Sequence, residues 1–266
     1  MPVANLQSYR TVSLRVHTAA FASQGQAVIL ENAVLAKLRQ QCGFEQVGPP
    51  GATPADVVLD LNITNIGRGG GGFISNPNLA TVDTLLVLTD GQDGELLGTS
   101  RIRGKSSGMI INSSQPEGEA IEVVAKTVGD LLAKSGCGGP RIARATPPVP
   151  PGPGAGSASE GAGSGSASEG SAAPPDDARR AEAEKLNEQG KEKLYSADIP
   201  GAMAAFQQAN TLVPDARYAF NLCLVLGAQE QWDNAIVACR QARGMNPQPT
   251  LAAKIDTRLN LLQHRQ

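Results

Sequence analysis

The sequence predicts a two-domain chain: an α+β N-terminal domain, with a mainly antiparallel sheet and two helices on one face, followed by an all-α domain of helical hairpins. Three observations predict this. Apolar residues in the first half switch between strand and helix periods, a Pro/Gly/Ser/Ala stretch interrupts the middle, and the last third repeats its own spacing of small residues.

Tyr9 to Val16 alternates Val12, Leu14 and Val16 with Thr11, Ser13 and Arg15, the period of a strand with one buried face. From Gln26 to Cys42 the period changes: Leu30, Val34 and Leu38 recur every fourth residue, and Gly43 stops an amphipathic helix. A short extended piece, Phe44 to Val47, leads to the strand Asp56 to Ile66, where Val57, Leu59, Leu61 and Ile63 oppose the largely polar Val58, Asp60, Asn62 and Thr64. Thr81 to Thr89 and Glu95 to Arg103 form a hairpin around Asp90-Gly91-Gln92-Asp93-Gly94, whose residues tolerate positive φ. Glu117 to Lys134 then carries Ile121, Val124, Val128, Leu131 and Leu132 on one helical stripe, ending at Ser135-Gly136. Polar outer strand faces place both helices on the same side of the sheet.

Arg68-Gly69-Gly70-Gly71-Gly72-Phe73 is read as a flexible strand connection, with a partner-binding loop as the alternative. A phosphate cradle needs a helix opening directly after the glycines, and Ile74-Ser75-Asn76-Pro77 cannot start one cleanly.

Thr146 to Pro175 is Pro, Gly, Ser or Ala at 26 of 30 positions, and GSASEG recurs at Gly156 and Gly165, so nothing there can bury a core. Residues 140–177 are therefore assigned to a disordered linker between domains at 1–139 and 178–266. The first domain has 10 basic and 12 acidic residues and the second 11 and 9, too small a difference to imply strong docking, so the two are expected to move independently.

In the final third, Gly190, Ala202, Phe206, Ala209 and Pro214 are spaced 12, 4, 3 and 5 apart, and Cys223, Ala235, Cys239, Ala242 and Pro247 repeat those spacings 33 residues later. This resembles the tetratricopeptide repeat (TPR), a helix-turn-helix unit with small residues where its helices cross and a closing proline. Ile199 and Trp232 stand before the second helix of each unit. Cys223 and Cys239 replace a glycine and a bulky aromatic and are read as packing residues rather than a bridge. Thr250 to His264, with Leu251, Ile255, Leu259 and Leu262 in one stripe, is the expected capping helix.

The resemblance implies that Tyr195, Phe220 and Leu224 fall towards a concave face, with Asn187, Lys191, Arg217, Asn221, Lys254 and Arg258 as the polar residues nearest them. Lys254 and Arg258 are one turn apart and share a face. They would take an acidic group of a bound peptide; for any single residue the plainer alternative is a solvated face on a spacer.

The N-terminal domain also resembles a family of bacterial envelope lipoproteins related in fold to the penicillin-binding-protein activators. The matching residues are Tyr9-Arg10-Thr11-Val12, Cys42-Gly43-Phe44-Glu45-Gln46-Val47, Ala55-Asp56-Val57-Val58-Leu59 and Asp93-Gly94-Glu95-Leu96-Leu97. The resemblance implies a periplasmic or outer-membrane-peripheral location; the alternative is cytoplasmic. The signal peptide and lipid-bearing Cys of that family are missing, so a lipid anchor is implied only if a signal precedes Met1. Cys42 and Cys137 each end one of the predicted helices. Both a disulfide, which would fit an oxidising compartment, and a pair of buried thiols remain open, and a Cα separation above about 7 Å would forbid the bridge.

Composition narrows function. A formal net charge of -2 leaves no basic surplus for nucleic acid, and no apolar run approaches a spanning helix. With His17 and His264 as the only histidines and no Cys-x-x-Cys spacing, no metal site, cofactor site or catalytic set can be assembled. The expectation is a non-enzymatic adaptor that binds another protein or peptide through its repeats. The alternative is a regulator or activator of a cell-envelope enzyme or secretion component, acting through the first domain.

Overall fold

The computed structural model describes residues 4–18, 24–51, 55–68, 79–107, 116–137 and 175–264. The glycine-rich stretch after Arg68 and most of the expected linker lie outside the described residues. Residues 175–177, counted with the linker above, open a helix instead.

The first domain runs β1 (Thr11–Thr18), α1 (Gln24–Gln41), β2 (Gln46–Gly48), β3 (Val57–Arg68), β4 (Ala80–Asp90), β5 (Leu96–Lys105) and α2 (Pro116–Lys134). Its five strands form one sheet in the order β2-β1-β3-β4-β5. The sheet is mixed rather than mainly antiparallel: β1 pairs in parallel with both β2 and β3, while β3-β4-β5 is an antiparallel meander. The reason is α1, since a helix placed between two strands is the crossover that parallel neighbours require. Gly94, at φ 69, supplies the left-handed residue that turns β4 into β5.

Both helices lie on one face. Leu30, Val34 and Leu38 of α1 and Ile121, Val124, Val128 and Leu132 of α2 pack with Leu14, Leu59, Leu61, Ile63, Val82, Leu86 and Leu88 of the strands, each at most 1% exposed. Burial of this aliphatic layer is the main driving force for the domain. At the layer's margin Cys42 and Cys137 are bonded, with Cα atoms 4.9 Å apart. The Gly43 N–H donates to the Cys137 carbonyl at 2.8 Å beside them.

The last third comprises α3 (Pro175–Tyr195), α4 (Ile199–Leu212), α5 (Ala216–Ala228), α6 (Trp232–Gly244) and α7 (Pro249–Gln263). Asp198 caps α4 by accepting from the Gly201 N–H at 3.0 Å, and Asp215 caps α5 by accepting from the Arg217 N–H at 2.7 Å. Helix α3 closes on α4 at Gly190, where an added Cβ would lie 2.5 Å from the Phe206 ring. In the next hairpin Cys223 and Cys239 are not merely packing residues: they form a second disulfide between α5 and α6, at a Cα separation of 5.2 Å. Small side chains at a helix crossing bring the backbones well within the reach of a bridge.

The two domains do not stand apart. Leu85 and Val87 of β4 and Leu96 of β5, on the sheet face opposite α1 and α2, share one core with Phe220, Cys223 and Leu224 of α5 and Leu194 of α3. This corrects the expectations of independent domains and of a solvated outer sheet face. A near-neutral overall charge says little about docking when a local apolar strip supplies it.

Candidate functional site

The residues expected on the concave face come together, and what they face is the outer side of the chain's own sheet. Asn187, Lys191 and Tyr195 recur every fourth residue along α3 and so share one face. Asn221, on α5, donates from Nδ2 to the Asn187 Oδ1 at 2.8 Å, and both side chains are buried. These two act as a polar tie between hairpins, so neither is available to a ligand.

Tyr195 hydroxyl lies 3.2 Å from the Thr89 hydroxyl of β4, and burial raises its pKa. The Leu224 carbonyl accepts from the Thr99 hydroxyl of β5 at 2.8 Å. Phe220 is 1% exposed within the shared core. The aromatic and aliphatic members of the expected face are thus all consumed by the interface.

The cations sit around the tip of the β4–β5 hairpin. Lys191 Nζ is 3.7 Å and Arg217 Nη1 3.9 Å from Glu95 Oε1, while Lys254 Nζ is 3.8 Å from Asp93 Oδ2. The shorter bonds go elsewhere: Lys191 to Glu188 at 3.0 Å, and Arg217 to Glu184 at 2.8 Å. Tyr218 donates to the same Glu184 at 2.8 Å. Burial pulls the Glu184 carboxyl up, but the bonds from Tyr218 and Arg217 outweigh it and lower its pKa. At Lys191 burial works against the charge, and Glu95 and Glu188 outweigh it to raise the pKa. Glu95 behaves oppositely, because desolvation raises its pKa in spite of Lys191, Arg217 and Lys254. Among the described residues, the cations that meet its carboxylate do so from beyond hydrogen-bond distance.

Arg258 does not join Lys254 at the tip. It is buried, with its guanidinium over Gly227, where an added Cβ would lie 2.3 Å from Nη2. It packs α7 onto α5.

Beside the hairpin tip a cleft of about 600 Å³ opens between Asp93 and Glu95 on one side and the α4–α5 and α6–α7 turns on the other. Arg217, Met245, Pro247, Leu251 and Lys254 line it. Its volume is within the range of ligand sites, and its walls combine apolar surface with two cations. A second cleft, about 440 Å³, lies between His17 and Asn62 of the sheet and Tyr195 to Ala197 at the end of α3.

Sequence reasoning did not find the sheet's contribution: Asp93, Glu95, Thr89 and Thr99, nor Asp60, which is buried on the same face. Asp60 accepts from Arg15 Nη2 at 2.8 Å, with His17 Nε2 at 3.1 Å. A signal for the missed contact was present in Leu85-Leu86-Val87-Leu88, an unbroken apolar run in a strand, which means burial on both faces. Among the described residues no group of three His, Cys, Asp or Glu is placed to hold a metal, and no helix is long and apolar enough to cross a membrane.

No family model matches the chain, and no curated protein matches its sequence. Among solved structures, a Xanthomonas campestris protein of the DUF330 family model is similar at 13% identity and a TM-score of 0.37, over 50% of this chain and 86% of that one. The PelC dodecamer protein of Paraburkholderia phytofirmans is 16% identical with a TM-score of 0.37, over 49% and 93%. A minor lipoprotein from Acinetobacter baumannii is 14% identical with a TM-score of 0.30, over 47% and 91%.

Proposed function

We propose that the chain is a non-enzymatic interaction protein of the bacterial cell envelope, in which a short TPR-type module recognises polypeptide and the α/β domain presents it. The observation that carries this reading is the convergence of Lys191, Tyr195, Arg217, Leu224 and Lys254, from three helices, on one stretch of polypeptide, the β4–β5 hairpin. A surface that reads a β-hairpin in its own chain has the chemistry to read extended polypeptide. The crossing of α3 and α4 at Gly190 and Phe206 supports the TPR-type assignment. The two disulfides, which use all four cysteines, support an oxidising compartment.

Site-specific photo-crosslinking in native cells tests it. A crosslinker at Thr250, which lines the cleft, should yield a discrete protein adduct in the full chain. Adducts arising only from the exposed Ile29 and Val123 of the first domain would favour a regulator acting through that domain. No adduct from either surface would overturn the interaction reading.

A further inference from the structure

The hairpin tip is a poor partner for the cations around it. Its three ion pairs, at 3.7, 3.9 and 3.8 Å, all lie beyond hydrogen-bond distance. Lys254 is the clearest case. Its side chain is 19% exposed, and the 3.8 Å approach to Asp93 is the one ion pair it makes among the described residues. Its ammonium has three N–H donors, and Asp93 meets none of them within hydrogen-bond distance. It faces an open cleft lined by Pro247, Met245 and Leu251.

The tip is also held in shape without the cations. Asp93 Oδ1 accepts from the Glu95 N–H at 2.9 Å, and the Asp90 N–H donates to the Glu95 carbonyl at 2.9 Å. Leu96, just beyond, is anchored in the interdomain core. The Glu95 carboxylate and the Asp93 Oδ2 can therefore give up the cations while the Asp93 Oδ1 bond, the hairpin and the docked module stay in place.

We propose that Asp93 and Glu95 are placeholders, and that an acidic extended segment of a partner protein exchanges with them, seating its carboxylates against Lys254 and Arg217 and its apolar residues in the cleft. This rests on the interaction reading above and adds the partner's chemistry and the contact it must displace. Two features select an acidic partner: the ion-pair positions are already defined by carboxylates, and a carboxylate within hydrogen-bond distance of Lys254 would gain what the 3.8 Å approach of Asp93 lacks. Competition by the chain's own hairpin sets a threshold, since the partner's apparent affinity is reduced by the fraction of clefts the placeholder fills.

The test uses a labelled peptide with the sequence of residues 89–97, TDGQDGELL, and its neutral counterpart TNGQNGQLL, titrated against the full chain by fluorescence anisotropy. In D93N/E95A the placeholder charges are removed, and the amide introduced by D93N keeps an oxygen that accepts from the N–H of residue 95. The acidic peptide should bind this variant at least ten-fold more tightly than it binds the unaltered chain, and the neutral peptide should not. Adding Lys254→Glu should return the affinity to the unaltered level or below, with the far-ultraviolet circular dichroism unchanged. Equal affinity for D93N/E95A and the unaltered chain, indifference to Lys254→Glu, or equal binding of the neutral peptide each overturns the placeholder. If Thr250 crosslinks a protein in cells while the peptide result is negative, the placeholder falls and the interaction reading stands. If both are negative, both fall.

Discussion

The two faces of the central sheet are buried by different chemistry. Under α1 and α2 the strands present Leu14, Leu59, Leu61, Ile63, Val82, Leu86 and Leu88. Under α3 and α5 they present Leu85, Val87 and Leu96 interrupted by Thr89, Thr99 and the buried Asp60. A face made only of aliphatic side chains cannot be exposed without losing the fold. A face that mixes a narrow apolar strip with satisfied polar groups is what a separable contact needs, because the polar members can return to water at little cost.

The strongest way to break this contrast is at the covalent edge of the inner layer. Replacing Cys42 and Cys137 by Ser opens a loop with a sequence separation of 95 residues, which by chain entropy should cost about 4.7 kcal/mol. The loss should appear as a lower midpoint of guanidinium unfolding for the first domain's transition. Leu59→Ala, at a position 0% exposed on the inner face, should cost about 3 kcal/mol, again across that transition. Leu85→Ala, at 1% exposure on the outer face, should instead separate the module before the domain unfolds. Small-angle scattering should show a larger radius of gyration under conditions where the circular dichroism is still native. If Leu85→Ala and Leu59→Ala give the same single transition, the outer face is as constitutive as the inner one.

Within the module, Gly190→Ala places a Cβ against the Phe206 ring, and overpacking of this kind should cost about 2 kcal/mol. A second change, Phe206→Leu, should recover part of that stability.

The smallest effect comes from Glu95. Its pKa is raised mainly by desolvation, with Asp93 adding to this and Lys191, Arg217 and Lys254 opposing it. A raised folded-state pKa means that the docked tip holds its proton more tightly than the freed one. This contribution to docking is therefore fully present below the ordinary value of 4.5 and is lost as pH rises through the docked-state value. Small-angle scattering should report a smaller radius of gyration at acidic than at neutral pH, and Glu95→Gln should flatten that dependence. A Glu95→Gln chain that keeps the full pH response would show that other groups control it.

Much of the architecture was legible in the residues. The helical stripe of Ile121, Val124, Val128 and Leu132 and the alternation of Val57, Leu59, Leu61 and Ile63 became the inner layer because periodicity records one-sided burial directly. Gly190 and Phe206 stand where the repeat resemblance implies a helix crossing, and the two are in contact there. Three features were harder to read. The parallel pairing of β1 with β3 depends on the α1 crossover rather than on any pattern inside the strands. The Cys223–Cys239 bond depends on how closely two helices cross. The docking of the module depends on Leu85 and Val87, whose alternation with Leu86 and Leu88 signals two buried faces without saying what covers the second.

Of the expected site, Lys191, Arg217 and Lys254 lie on three different helices, and only the repeat resemblance, not any spacing along the chain, implied that they face one hollow. Their actual counter-ions, Asp93 and Glu95, lie in a different domain, far away along the chain, and no local pattern could have paired them.

The arrangement around Asp60 has a consequence for how the molecule can come apart. Both of its side-chain partners, Arg15 and His17, belong to β1, so lifting the helices away does not leave Asp60 alone on the platform beneath. The anion at the centre of the slab is therefore neutralised from within its own layer. The hairpin tip, by contrast, changes its charge pairing when the helical lid is lifted, so the electrostatic cost of uncovering the slab is concentrated at Asp93 and Glu95.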